Sequence, residues 1–123
     1  MNRLIYLAAG GLLGTFGRYF LAGAVHRIAG GNFPVHTLII NLAGCFILGA
    51  FIGWDKEHML SHEWKLFVAV GFCGAFTTFS TFMMETASLV EKGQILMGFV
   101  NVLASVTFGY ILFFLGLWTV RIF

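Results

Sequence analysis

Residues 71–82, GFCGAFTTFSTF, place four hydroxyl side chains, four aromatic rings and two glycines inside an otherwise apolar segment. In membrane-spanning segments, such polar side chains and helix-loosening glycines face a bundle interior or a water-filled path rather than lipid. The surrounding apolar segment, about residues 64–90, is longer than one straight crossing requires. We therefore predict a spanning helix that is broken near residues 74–78, with a functional path beside the break.

The composition is that of an integral membrane protein. Hydrophobic residues make up 59% of the 123 residues, charged residues only 10%, and the mean hydropathy is +0.93. Soluble domains carry roughly 25% charged residues. A chain of this length holds four helices of about 20 residues, the length that crosses a bilayer, with little left over. We predict an all-α, four-helix membrane bundle without a soluble domain.

The apolar segments divide the chain into four spans within a single domain, 1–123. The predicted spans are about residues 4–25, 36–54, 64–90 and 95–120. Glycines four apart, Gly10 with Gly14 and Gly49 with Gly53, allow close helix packing. Four short helices enclose scarcely enough interior for a site of their own, so we expect a homo-oligomer in the lipid bilayer.

Lysine and arginine residues show only a small asymmetry between the two ends of the spans. An even number of spans puts Arg3, Lys56, Lys65 and Arg121 on one side of the membrane, against Arg27 and Lys92 on the other. A bias this small permits insertion in both orientations. The net charge of +2 comes from scattered residues, so we expect no nucleic-acid partner.

The chain carries no pattern typical of an enzyme. Cys45 and Cys73 lack the CxxC spacing of a redox or zinc site and are interpreted as small packing residues. His58 and His62 have the spacing of two zinc ligands on a helix, but no further ligand converges in the sequence, so a solvated loop is the favoured interpretation. We predict no catalytic residues.

Two ionisable residues within the spans have alternative interpretations. Arg18 either extends to the headgroups as an anchor or supplies a cation at the mouth of an anion path. Glu85 is either a proton-coupled transport site or a carboxylate near the far interface, with water or Thr86 as its partner. If the path carries anions, Glu85 should be peripheral or hydrogen-bonded.

Uncharged donors and rings near the opening segment also suggest two roles. Asn41, Asn101, Ser105 and the hydroxyls of the third span either join helices by hydrogen bonds or replace the hydration shell of a small anion. Phe79 and Phe82, three apart on one helix face, either pack in the core or hold an anion at their positive ring edges.

Three motifs occur in order along the chain: GRY at residues 17–19, TLIINLAG at 37–44, and GFCGAFTTFSTF at 71–82 followed by Glu85. In these motifs the chain resembles the Fluc, or CrcB-type, fluoride ion channels over essentially its whole length. The resemblance implies a fluoride-selective channel that passively exports cytoplasmic fluoride and lies in the bacterial plasma or inner membrane. It also implies a dual-topology antiparallel homodimer with two pathways and a central structural sodium ion.

The resemblance also implies roles for individual residues. Phe79 and Phe82 resemble the phenylalanines that line the pathway, and Asn41 resembles the pore asparagine that donates to the ion. Gly74 and Thr77 match the break whose backbone carbonyls coordinate sodium. Arg18 resembles the arginine near the pore vestibule. Ser105, together with Thr78 or Thr81, resembles the polar track beside the phenylalanines.

Two rival functions fit the length and the number of spans. A small multidrug-type, proton-coupled exporter has four short spans, but it needs a carboxylate in its first helix, where this chain has only Arg18. An accessory subunit of a membrane complex accounts for the packing glycines. It does not account for the donors clustered with Phe79 and Phe82.

Overall fold

The computed structural model describes residues 2–122, with the backbone alone for Arg121 and Ile122, and the regular secondary structure of this part of the chain is all helical. Met1, Phe123 and the Arg121 side chain, which the predicted domain and charge comparison include, lie outside the described residues. The helices are α1 (Asn2–Ile28), α2 (Val35–His58), α3 (62–76), α4 (Phe79–Glu91) and α5 (Ile95–Ile122). That residues 1–123 form a single domain stays a prediction.

Four segments of these helices are long and apolar enough to cross a membrane. They are Asn2–Ile28, Val35–His58, His62–Glu91 and Ile95–Val120. Many of their large apolar side chains, such as Leu4, Phe16 and Val106, are exposed, as is expected of surfaces that contact lipid. The prediction of an all-helical, four-span, multi-pass membrane protein is confirmed.

The third span contains the break that the opening segment predicts. Helix α3 begins with an α-helical turn, His62–Lys65, continues as a π-helix, Leu66–Cys73, and ends as an α-helix, Gly74–Phe76. Thr77 (φ −80°, ψ 159°) and Thr78 (φ −149°, ψ 112°) are extended, and α4 starts at Phe79. The break therefore lies at the middle of the 30-residue segment His62–Glu91.

Two tight turns orient the spans at the ends of the bundle. Gly31 has φ +152° in the loop before α2, and Gly93 has φ +76° between α4 and α5. The Gly93 N–H donates to the Val90 carbonyl oxygen at 2.9 Å, and the Gln94 N–H donates to that of Leu89 at 2.8 Å. These bonds satisfy the last carbonyls of α4 where a left-handed residue ends the helix.

Glycines set the two closest helix contacts. Helix α2 packs mainly on α5, and α1 packs mainly on the π-helical part of α3. A Cβ added at Gly49 would meet the Phe113 carbonyl oxygen, and one added at Gly10 would meet the Phe67 carbonyl oxygen. The predicted close packing through Gly10, Gly14, Gly49 and Gly53 is thus seen within one chain.

We expect Gly49→Ala to destabilise the fold by about 1–3 kcal/mol, because the added methyl group forces the α2 and α5 backbones apart. Thermal unfolding in detergent measures this as a lower midpoint. Gly23→Ala is the matched control, since a Cβ there meets no atom within 4 Å. Equal midpoints for the two variants would contradict the tight α2–α5 contact.

Candidate functional site at the helix break

The side chain of Asn41 holds the broken backbone in place. Its Nδ2 donates to the Thr78 carbonyl oxygen at 3.1 Å, and its Oδ1 accepts from the Thr78 N–H at 2.8 Å. A backbone that leaves a helix within a membrane must find such partners, because lipid offers none. Asn41 on α2 therefore replaces the helical bonds that Thr78 lacks.

The hydroxyls of the two extended threonines complete the break. Thr77 donates from Oγ1 to the Cys73 carbonyl oxygen at 2.8 Å, which closes the end of α3. The Thr78 hydroxyl accepts from the Thr81 N–H at 3.3 Å and caps α4, while it donates to the Thr81 hydroxyl at 2.9 Å. Gly44 makes room here, because a Cβ at that position would meet the Thr77 side chain.

These bonds draw the usual helical donors away from two carbonyl groups. In a continuous helix, the Thr78 N–H would bind the Gly74 carbonyl and the Thr81 N–H would bind the Thr77 carbonyl. In this structure those N–H groups bind Asn41 and the Thr78 hydroxyl instead. The carbonyls of Gly74 and Thr77 consequently lose their helical partners, and both belong to the predicted sodium site.

Two grooves meet at the buried Thr78. The Gly74 groove, of about 310 Å³, contains five predicted site residues: Asn41, Gly74, Thr77, Thr78 and Phe79. The Arg18 groove, of about 300 Å³, contains Arg18, Thr78 and Thr81 together with Thr15, Thr37 and His36. The break therefore places predicted cation ligands and predicted anion donors on adjoining surfaces.

The two phenylalanines of α4 differ sharply in exposure. Their ring centroids are 5.8 Å apart, but Phe79 is 75% exposed whereas Phe82 is 7% exposed. Phe79 lines the Gly74 groove, and Phe82 lines neither groove. One ring is thus part of the bundle interior, and the other projects from the single chain.

Glu85 is held by α2. The Thr37 hydroxyl donates to Glu85 Oε1 at 2.8 Å, and His36 Nε2 lies 3.1 Å from the same oxygen. The prediction that Thr86 is a partner of Glu85 is wrong, because consecutive helix residues face different directions. Thr86 instead donates to the Phe82 carbonyl oxygen at 2.7 Å. Glu85 is hydrogen-bonded, as expected beside an anion path.

Two polar groups of α5 are buried. Asn101, 1% exposed, donates from Nδ2 to the Thr86 hydroxyl at 2.9 Å and ties α5 to α4. The Ser105 hydroxyl is buried and has no hydrogen-bond partner among the described residues. Ser105 lines neither groove.

His58 ends α2 and His62 begins α3, on either side of the short connection 59–61. Among residues 2–122, no group of three or more histidine, cysteine, aspartate or glutamate side chains is placed to hold a metal ion. Asp55 binds Lys65 at 3.0 Å and accepts from the Leu60 N–H at 3.0 Å, which secures the connection. Both histidines are exposed, but they occupy helix ends and not the predicted loop.

Sequence reasoning missed two functional contacts, those of His36 and Thr37 with Glu85. Thr37 is 2% exposed and lies one helical turn before Asn41, so both side chains share a face of α2. The spacing of four residues between Thr37 and Asn41 was therefore a sequence pattern that pointed to Thr37. His36 carried no comparable signal, because its neighbour Glu85 is distant in sequence.

Fold and site together define a small multi-pass membrane protein with two partly polar grooves at a broken helix. Residues 5–117 match the family model described as "CrcB-like protein, Camphor Resistance (CrcB)". Curated proteins named "Fluoride-specific ion channel FluC" are similar in Dehalococcoides mccartyi (42% identity; 94% of this chain, 90% of the relative) and Rhodospirillum rubrum (41%; 91% and 89%). The chain belongs to the CrcB-like family, which confirms the resemblance of the three motifs.

Proposed function

We propose that this chain is a fluoride-selective ion channel that works as an antiparallel homodimer, with each copy inserted in the opposite orientation. The break at Thr77 and Thr78 is the observation that carries the proposal, because it exposes helix ends in mid-membrane. Similar proteins over nearly the whole chain carry the name of fluoride channels. The proposed activity is transport, and no enzymatic step is assigned.

Fluoride would pass along α4 from donor to donor. Helix α4 begins at the break, and the N-terminus of a helix attracts negative charge. The Asn41 amide has two N–H groups; Thr78 takes one, and we assign the other to the ion. The hydroxyls of Thr81 and Ser105 extend this set, whereas the Thr78 hydroxyl already donates to Thr81 and supports the track by orienting it.

The ring edges of Phe79 and Phe82 supply an apolar but electropositive surface for the dehydrated ion. The two ring planes are tilted by 44° relative to each other, so the edges of the two rings point in different directions. Arg18, in the Arg18 groove beside Thr81, would draw anions toward the path. The path thus combines one cation with uncharged donors, which favours entry without irreversible binding.

A second copy is proposed because one chain leaves the site open. Gly74 is exposed and a Cβ there would meet no atom within 4 Å, although it lies at the break. Phe79 is also exposed beside it. An antiparallel copy that covers the Gly74 groove would enclose both residues and could bring the remaining donors together, including Ser105.

The break also fits a structural sodium ion between two such copies. The carbonyls of Gly74 and Thr77 have lost their helical donors, and carbonyl oxygen is a ligand for hard cations. Sodium would supply the positive charge that offsets these oxygens in a dry interface. The four carbonyls of the pair, two from each copy, would hold it.

Removing sodium is expected to lower fluoride flux or to shift the dimer toward monomer, because the carbonyls then face each other without a counter-charge. Size-exclusion profiles and flux in sodium-containing and sodium-free buffers measure the effect, with a large cation such as N-methylglucamine as the replacement. A channel that stays dimeric and fully active after its residual sodium is shown to be absent would refute the assignment.

Passive export follows from the sign of the membrane potential. An interior that is negative by 100 mV drives each monovalent anion outward by about 2.3 kcal/mol. A fluoride channel therefore needs neither nucleotide nor a coupled proton. The proton-coupled exporter is disfavoured, because its first span requires a carboxylate and α1 contains none within residues 2–28.

Growth of a bacterium without its own fluoride exporter tests the function in cells. The wild-type chain should restore growth in fluoride medium, whereas a multidrug exporter would instead protect against a cationic dye such as ethidium. An accessory subunit would do neither. Failure of a correctly inserted wild-type chain to restore growth in fluoride medium would contradict the proposal.

A further inference from the structure

His36 lies where three depressions of the surface meet. It lines the Arg18 groove, which leads to Thr78 and Thr81 at the break. It also lines a pocket of about 300 Å³ around Glu85 and Lys92, and a wider groove of about 620 Å³ beside Tyr19 and Arg27. The His36 imidazole therefore borders all three depressions.

The carboxylate beside His36 is poorly compensated without it. Glu85 Oε1 accepts from Thr37 and contacts His36, but Glu85 Oε2 is buried and has no hydrogen-bond partner among the described residues. The Glu85 side chain is 16% exposed, and that of His36 is 32% exposed. A nearby positive charge is therefore the natural counterpart of this carboxylate.

Few of the ionisable groups around His36 change their charge near neutral pH. Helix α1 presents Arg18, Tyr19, His26 and Arg27, α4 presents Glu85, and Lys92 follows α4. Histidine is the side chain that ordinarily changes charge between about pH 5 and 8. His36 touches Glu85, whereas His26 contacts the His36 ring edge-to-face at a centroid distance of 5.9 Å.

We propose that protonated His36 admits anions to the pathway by neutralising Glu85, so that flux rises as the pH falls. The proposal rests on the proposed fluoride function. When His36 is neutral, Glu85 leaves one negative charge beside the Arg18 groove and repels the entering ion. When His36 is charged, the pair is neutral and the fixed charge of Arg18 dominates the groove.

Fluoride efflux from liposomes held at equal internal and external pH measures the effect. The wild-type chain should conduct about threefold or more faster at about pH 5.5 than at about pH 8. His36→Gln keeps a hydrogen-bonding group without the charge and should give a flat, slow profile. His36→Lys keeps the charge throughout and should give a flat, fast one, and leakage of hydrogen fluoride is subtracted with protein-free liposomes.

His62→Gln is the matched control and should keep the wild-type pH profile, because His62 is exposed and lines none of the three depressions. The proposal is overturned by a flat wild-type profile, by an unchanged profile in His36→Gln, or by loss of the profile in His62→Gln. If one His36 variant fails to assemble, the other decides. A wild-type chain without fluoride flux at any pH would instead remove the proposed function itself.

Discussion

Replacing both Phe79 and Phe82 by leucine is expected to reduce fluoride flux about a hundredfold while leaving the proposed dimer assembled. Leucine keeps most of the apolar volume but has no electropositive ring edge. Edge-to-face aromatic pairs contribute up to about 1.5 kcal/mol, and we take the same scale for an anion at a ring edge; because about 1.4 kcal/mol corresponds to tenfold in rate, each ring accounts for about tenfold. Efflux from fluoride-loaded liposomes, recorded with an ion-selective electrode, measures the reduction.

Phe99→Leu is the matched control for the double variant, because Phe99 is 63% exposed and lines neither groove. It should conduct like the wild type. Comparison of the single variants separates the two rings, of which Phe79 is exposed in one chain and Phe82 is buried. Wild-type flux from a correctly folded double variant would refute the ring-edge mechanism.

Replacing Asn41 by alanine is expected to abolish measurable flux and to destabilise the protein. Both hydrogen bonds to Thr78 disappear, and each backbone group left without a partner costs about 1–3 kcal/mol. Asn41→Asp keeps an acceptor for the Thr78 N–H but puts a negative charge in the path. It should also lose flux, with a smaller fall in the unfolding midpoint than the alanine variant shows.

Asn2→Ala, an exposed position at the start of α1, serves as the control for both Asn41 variants. Flux and thermal unfolding midpoint should match the wild type in this control. If Asn41→Asp conducted fluoride at the wild-type rate, the pathway would not pass Asn41. If Asn41→Ala unfolded at the wild-type temperature, Asn41 would not be the residue that stabilises the break.

Local sequence patterns were sufficient for the spans and for the position of the break. A run of about 20 apolar residues predicts a crossing directly, and residues 74–78 combine a glycine with two threonines inside a span that is too long. The structure places the break at Thr77 and Thr78. Glycines four apart likewise predicted that α1 and α2 each pack closely against another helix.

Local sequence patterns did not predict the contacts between spans. Asn41 and Thr78 are 37 residues apart, and Thr37 and Glu85 are 48 apart, so their pairing depends on how α2 packs against the third span. Thr86 was one of the two partners expected for Glu85, the other being water, but consecutive residues of a helix face different directions. The π-helix Leu66–Cys73 also had no signal, since its residues are as apolar as those of an ordinary span.

Purified protein in liposomes loaded with either fluoride or chloride tests most directly whether the helix break forms a fluoride-selective pathway. An ionophore for the counter-cation allows charge-compensated efflux, and an electrode follows each anion. Rapid fluoride efflux with chloride retained is the predicted result. Absence of electrogenic fluoride efflux, or equal efflux of the two anions, would contradict it.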